Sequence, residues 1–400
     1  MTEATPDTAT GRPAAGGPAA GADAVWRDPK RYLWALGLVV PLLPFGARAM
    51  VERTGWDVFW WMGPIWILVL VPILDTAFGT DESNPPDWAV PQLEADRYYR
   101  WLTYLYLPLQ YAGFLLAAWM ITEGGLSGWS QLGLALTAGT VAGVGINTAH
   151  ELGHKRDRVE RRLSKVALAQ TGYGHFYVEH NRGHHSRVST PDDPASARLG
   201  ESFWRFLPRT VGGSLRSAWQ IAAAAQARKG QRVWSWRNDV LNAWALSLVL
   251  FGGTIAWLGA GVVPFLLVQA VFGFALLEVV NYIEHYGLLR QTVANGRYER
   301  CRPTHSWNSN NLASNLVLYH LERHSDHHAN PTRRYQSLRH FDDAPELPSG
   351  YALMICLAAV PPLWRRVMDR RVLAHYGGDV TLANVEPRRR GQVLARYGAA

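Results

Sequence analysis

Apolar residues gather into six runs along the chain, at roughly 32–51, 58–78, 99–121, 129–149, 240–259 and 262–283, separated by polar and basic stretches. Each is about 20 residues long, the length of helix that crosses a hydrocarbon core of ~30 Å at 1.5 Å per residue. The fourth and sixth carry polar residues only near their ends. Pro41, Pro44, Pro64 and Pro72 interrupt the first two, which membrane helices tolerate when neighbours satisfy the freed carbonyls. A later apolar stretch, 350–363, is too short to span and is expected to dock on the protein or lie at the interface. The pattern predicts an all-α integral membrane protein with six transmembrane helices.

Polar sequence fills the rest. Residues 1–25, mostly Ala, Gly, Pro and Thr, read as a disordered tail, without the basic start and apolar core of a signal peptide. Residues 26–375 are taken as one six-helix domain with two large polar blocks, 150–239 and 284–375, and 376–400 as a basic C-terminal tail. Only 18% of the 400 residues are charged, against about 25% in an ordinary soluble domain, which supports the membrane reading. With both termini on one side, 38 of the 40 lysines and arginines fall on that side. The positive-inside rule makes it cytoplasmic, in a multi-pass protein of the cell inner membrane. Topology and anionic headgroups therefore explain the net charge of +8 without a nucleic-acid partner. Two cysteines, Cys301 and Cys356, exclude a disulfide scaffold, and no CxxC pair is present.

The histidines lie in or at the edge of the polar blocks. HELGHK places His150 and His154 at i, i+4 at the end of the fourth run, on one helix face. In EHNRGHH, helical spacing puts His180 and His184 on one face and turns His185 away. RHSDHH holds His324, His327 and His328, and His285 follows the sixth run in NYIEHYG. One HxxxH is more often a pair of hydrogen-bonded core histidines than a ligand pair. Three clusters plus His285 at a membrane boundary would be costly without a purpose. Nine imidazoles exceed what one metal accepts, and two ions with four or five ligands each fit the count; imidazole alone does not name the metal. The acidic neighbours Glu151, Glu179, Glu284 and Asp326 are expected to take the outer ring N–H of ligand histidines. His320 could join His324 at i+4. His305 falls outside the clusters, His340 and His375 are read as surface residues, and Asn281 as structural. Arg182, Arg187, Arg323, Arg333 and Arg334 are either ordinary cytoplasmic charge or a docking face for an acidic electron donor.

HELGHK, EHNRGHH, NYIEHYG and LERHSDHHANPTRRYQ together resemble the AlkB-type alkane 1-monooxygenases, membrane di-iron hydroxylases, over roughly residues 30–375. Boxes of the first three kinds also occur in desaturases, whereas NYIEHYG with RHSDHH is more specific to the alkane and xylene hydroxylases. Glu322 departs from the pattern, standing where the family more often has Gln. The resemblance implies a six-helix domain with a di-iron site under the cytoplasmic helix ends, ligated by His150, His154, His180, His184, His185, His285, His324, His327 and His328. It implies terminal hydroxylation of medium-chain n-alkanes with O₂, and electrons from NAD(P)H through a rubredoxin reductase and rubredoxin. With no CxxC here, the rubredoxin must be a separate chain or a fused segment outside this sequence.

The chemistry suits the residues. A terminal C–H bond offers no charge or polarity to an acid, base or nucleophile, so a redox metal with O₂ is the fitting tool. An apolar substrate partitions into the bilayer and is expected to enter between helices, with Trp60, Trp61, Ile65, Leu68, Phe114, Leu115 and Met120 as candidate walls. Three rivals remain. HELGH also matches the HExxH of zinc metalloproteases, which leaves some six clustered histidines unexplained. A metal transporter would place histidines within spans or in repetitive tracts. A xylene-type hydroxylase or lipid desaturase differs in product and shares the metal.

Overall fold

The computed structural model describes residues 26–398; the tail expected over 1–25 lies outside them. Among the described residues the protein is helical, with isolated β-bridges and no strand. Six helices are long and apolar enough to cross a membrane: α1 (Leu33–Thr54), α2 (Asp57–Phe78), α3 (Arg97–Glu123) and α4 (Gly128–Gly153), then, after α5 (Arg158–Ala169) and α6 (Phe203–Ala227), α7 (Asp239–Leu258) and α8 (Ala260–His285). They coincide with the six predicted runs. Among the helices that follow are α9 (His324–Ala329), α10 (Tyr351–Ala358), α11 (Pro361–His375) and α12 (Arg390–Tyr397). The stretch 350–363 forms α10 and the start of α11, and it docks on the protein, with Ala352 packed on Ile67 and Val71 of α2. Residues 376–398 fold back onto the body rather than trailing from it. The Leu199 amide donates to the Asn384 carbonyl at 2.6 Å, and the Tyr397 hydroxyl reaches Asp369.

α4 is the axis of the bundle, with 83% of its apolar window buried. It meets α8 so closely that a Cβ at Gly139 would lie 2.9 Å from the Gln269 carbonyl, and one at Gly143 would lie 3.1 Å from that of Gly273. Small residues at such a crossing let two backbones approach where lipid supplies no hydrophobic drive. The prolines are handled locally. Pro64 has no N–H for the Trp60 carbonyl four residues before it, and the Thr137 hydroxyl of α4 donates to that carbonyl at 2.7 Å instead. A π-turn at Trp66–Leu70 precedes Pro72 in the same helix.

α4 carries His150 in its last turn and α8 ends on His285, so the close crossing bears on where both histidines lie. A Gly139→Leu variant should force the two helices apart. We expect a lower thermal midpoint in detergent, equivalent to roughly 1–3 kcal/mol of overpacking, and impaired metal retention. An unchanged midpoint would show that the crossing has slack.

Candidate metal centre

His150 occupies the last turn of α4, His154 caps it, and His285 is the last residue of α8. The second box lies in a π-helical turn, Glu179–His184, and the third is α9. Together they bring nine imidazoles into two groups whose ligand atoms lie within 4.8 Å of one another: His150, His154, His180, His185 and His327, and His184, His285, His324 and His328.

This partition corrects the sequence expectation for the second box. In an α-helix His180 and His184 would share a face. A π-turn closes with i→i+5 bonding, so His180 and His185 meet instead, Nε2 to Nε2 at 3.1 Å, and His184 turns to the other group. α9 divides in the same way. His324 and His328, at i, i+4, face each other at 2.9 Å, while His327 points to His185 at 3.1 Å. His320 stays outside. Tyr319 and His320 have left-handed φ of 51° and 53°, which breaks the helical register before His324, and its Nδ1 lies 3.0 Å from the Tyr335 carbonyl.

The donor set fits metal ions. Nε2 atoms of His184, His328, His324 and His285 run in sequence at 3.3, 2.9 and 3.2 Å. A metal held ~2.1 Å from each nitrogen leaves neighbouring ligand nitrogens roughly 3 Å apart. Neutral rings have too few protons to join all these atoms by hydrogen bonds, and the Nε2 atoms of His150 and His154 are buried with no partner. Burial, reinforced by the neighbouring histidines, holds His154, His180, His185, His324, His327 and His328 well below the ordinary imidazole value. They are neutral at physiological pH, the form whose lone pair binds a metal.

The acidic residues divide differently from expectation. Glu284 lies against the centre, its Oε1 3.2 Å from His324 Nδ1 but not aligned for a hydrogen bond. The other three carboxylates bind cations. Glu151 pairs with Lys155 at 3.0 Å, Glu179 with Arg187 at 2.8 Å, and Asp326 with Arg333 at 2.6 Å. Glu151 is thus neutralised by Lys155, unlike the general base of an HExxH protease. The carboxylate that does take an outer ring nitrogen is Asp193, 2.9 Å from His184 Nδ1. Burial raises its pKa, but His184 and the Ser196 hydroxyl outweigh this and hold it at about 2. Asp193 lies in a turn beyond the second box, where no periodic pattern marks it. His175, also unremarked in the sequence, is buried beside Tyr173 with both ring nitrogens unpartnered, and burial lowers it to about 4.

Most of the arginines considered for docking serve the fold. Arg323 is buried and donates to the carbonyls of Asp81, Ser83 and Leu338; Arg334 forks onto Glu160. His305 and His340 pair with Glu299 and Asp342, and His375 packs near Trp307.

An apolar cavity reaches the histidines from the membrane side. His150, His180 and His324 close one end, and Val144, Phe176, Leu277, Val280, Leu318, Leu321 and Ile355 form much of its wall, with Asn147, Asn281 and Glu284 as polar points. None of the seven predicted wall residues lines it. Trp60, Phe114 and Met120 pack in a separate cluster with Ala47 and Phe265, and Trp61 packs against Trp129. Ile65 and Leu115 face outward, and Leu68 packs beside Ile67 and Ala352. Ile67, two residues from Ile65, is the α2 residue that reaches the cavity.

Fold and site define a class: a helical membrane protein with a buried polyhistidine centre able to hold metal. Comparison narrows it. Residues 127–358 match the fatty acid desaturase family model. The chain is 47% identical over 374 residues to an alkane 1-monooxygenase of Acinetobacter baylyi, covering 93% of this chain and 92% of that one. It is 46% identical over 373 residues to alkane 1-monooxygenase 1 of Alcanivorax borkumensis, at 93% and 92% coverage. A xylene/toluene monooxygenase hydroxylase component of Pseudomonas putida is 27% identical over 266 residues, 65% of this chain and 70% of that one. The chain belongs to the alkane 1-monooxygenase family and is an enzyme of that type.

If Asp193 orients His184, Asp193→Asn should weaken metal retention in the four-histidine group by roughly 10–100-fold. Chelator titration read by elemental analysis would show one ion leaving early. Simultaneous loss of all metal, or none, would assign Asp193 to folding alone.

Proposed function

We propose that this protein hydroxylates medium-chain n-alkanes at a terminal carbon, converting RH, O₂, two electrons and two protons to ROH and water. The observation that carries the reading is the apolar cavity ending on His150, His180 and His324, rings from both histidine groups. Two non-haem irons, one in each group with O₂ as co-substrate, supply the oxidising chemistry when bound. The residues supply the rest. The five- and four-histidine groups fix the ligand fields. The aliphatic wall binds an alkane by contact area, at ~0.8 kcal/mol per buried CH₂, and excludes water from the reacting end. Asn147, whose amide donates to the Leu318 carbonyl at 2.6 Å, and Asn281 are polar groups near that end, placed to meet the alcohol oxygen.

Electrons are assigned to rubredoxin, reduced by NAD(P)H through its reductase. Partial exposure of His154 and His185 gives the five-histidine group an edge toward solvent, which supports delivery there. The basic excess supports a cytoplasmic centre in the inner membrane.

Detergent-purified protein is expected to contain about two irons per chain and little zinc, and to convert octane to 1-octanol. One zinc and no iron would overturn the reading. His180→Ala or His327→Ala should abolish hydroxylation and remove about one iron while leaving membrane insertion intact; full activity in either would remove that residue from the ligand set. Val144→Phe, which adds bulk within the cavity, should shorten the longest alkane accepted. A product profile from hexane to hexadecane that is unchanged would place the substrate elsewhere.

A further inference from the structure

A groove lies between the end of α6 and the start of α7, on the histidine side of the bundle. Arg182, Arg228, Lys229 and Arg237 rim it, and alanines of α6 form its floor. Its one carboxylate, Asp239, is already paired with Lys165 at 2.7 Å and Arg182 at 2.6 Å. The connecting loop also holds Trp234 and Trp236, which are 77% and 75% exposed. This loop is tied down. The Gln226 amide donates to the Arg237 carbonyl at 2.9 Å, Asn238 donates to Val233 at 3.1 Å, and the Trp234 ring rests on Trp219. Two indoles are therefore held outward by a fixed backbone, beside a cluster of cations with surplus charge. The apolar helix α7 begins two residues after Arg237, which sets the loop at the edge of the membrane, where indoles and basic side chains are both favoured.

We propose that this groove binds the headgroup of an anionic phospholipid, with its phosphate among Arg228, Lys229 and Arg237 and its glycerol and upper acyl region against Trp234 and Trp236. The indole pair favours lipid over an acidic protein, because the cations sit at the membrane edge with exposed apolar rings beside them. Arg182 lies between His180 and His184 in the second histidine box, so a headgroup in the groove abuts the segment that carries three of the histidines.

The test is native mass spectrometry of the delipidated full-length protein titrated with phosphatidylglycerol or phosphatidylcholine. Wild type should retain phosphatidylglycerol in clear preference. Lys229→Gln should reduce that preference roughly fivefold, the effect of one cation at a membrane surface, and R228Q/K229Q/R237Q should abolish it with metal content unchanged. Trp234→Ala with Trp236→Ala should weaken both lipids alike. Should the triple variant misfold, the single Lys229→Gln and the tryptophan variant still decide the matter. Unchanged preference in Lys229→Gln overturns the site. Displacement of phosphatidylglycerol by millimolar inorganic phosphate would show a plain anion site. Unchanged lipid binding in the triple variant with a raised KM for rubredoxin would give the face to the electron donor.

Discussion

Nine imidazoles pointing ring nitrogens at two small volumes is the constraint on which the structure depends. Brought together without a cation, such atoms repel, and burial prevents water from satisfying them. The bundle is organised to hold them there. α4 and α8 cross at glycines and carry His150 to one group and His285 to the other, and Asp193 fixes one ring from behind. Arg323 ties the start of α9 to the loop after α2 through the Asp81 and Ser83 carbonyls, and to the segment beyond α9 through that of Leu338. Most of the buried charge near the centre serves position rather than chemistry, since Glu151, Glu179 and Asp326 each neutralise a cation.

Much of this was legible in the sequence, and the parts that were not share a cause. Span length and apolar composition located all six membrane helices, because the bilayer imposes both. Histidine spacing marked the centre, because few buried positions carry imidazoles so densely. What spacing could not show was backbone geometry that departs from 3.6 residues per turn. The π-turn at Glu179–His184 exchanges the places of His184 and His185, and no residue type in EHNRGHH announces it. The left-handed Tyr319 and His320 likewise remove His320 from the reach of an i+4 rule.

The cavity wall failed for a different reason. On a membrane helix almost every residue is apolar, so composition does not distinguish a side chain facing lipid, a neighbour or a substrate. Ile65 and Ile67 are chemically identical and two residues apart, yet one faces outward and the other reaches the cavity. That choice is set by the rotation of α2, which packs on α4 at Gly63, where a Cβ would lie 2.6 Å from the Thr137 Cα. Asp193 was missed on similar grounds, as a turn residue whose role exists only once the chain has folded back on His184.

The partition of the histidines has a consequence for how the centre responds to change. The second and third boxes each contribute to both groups: His180 and His185 to one and His184 to the other, His327 to one and His324 and His328 to the other. Neither group can shift independently, because two short rigid segments span them, whereas HELGHK serves only the five-histidine group and His285 only the four. A displacement of the π-turn therefore disturbs both sites at once, while a displacement of α4's end disturbs one. The motif boundaries seen in sequence are thus not the boundaries of the sites. The mechanically coupled unit is the π-turn with α9, and α4 and α8 are the supports that close it on either side.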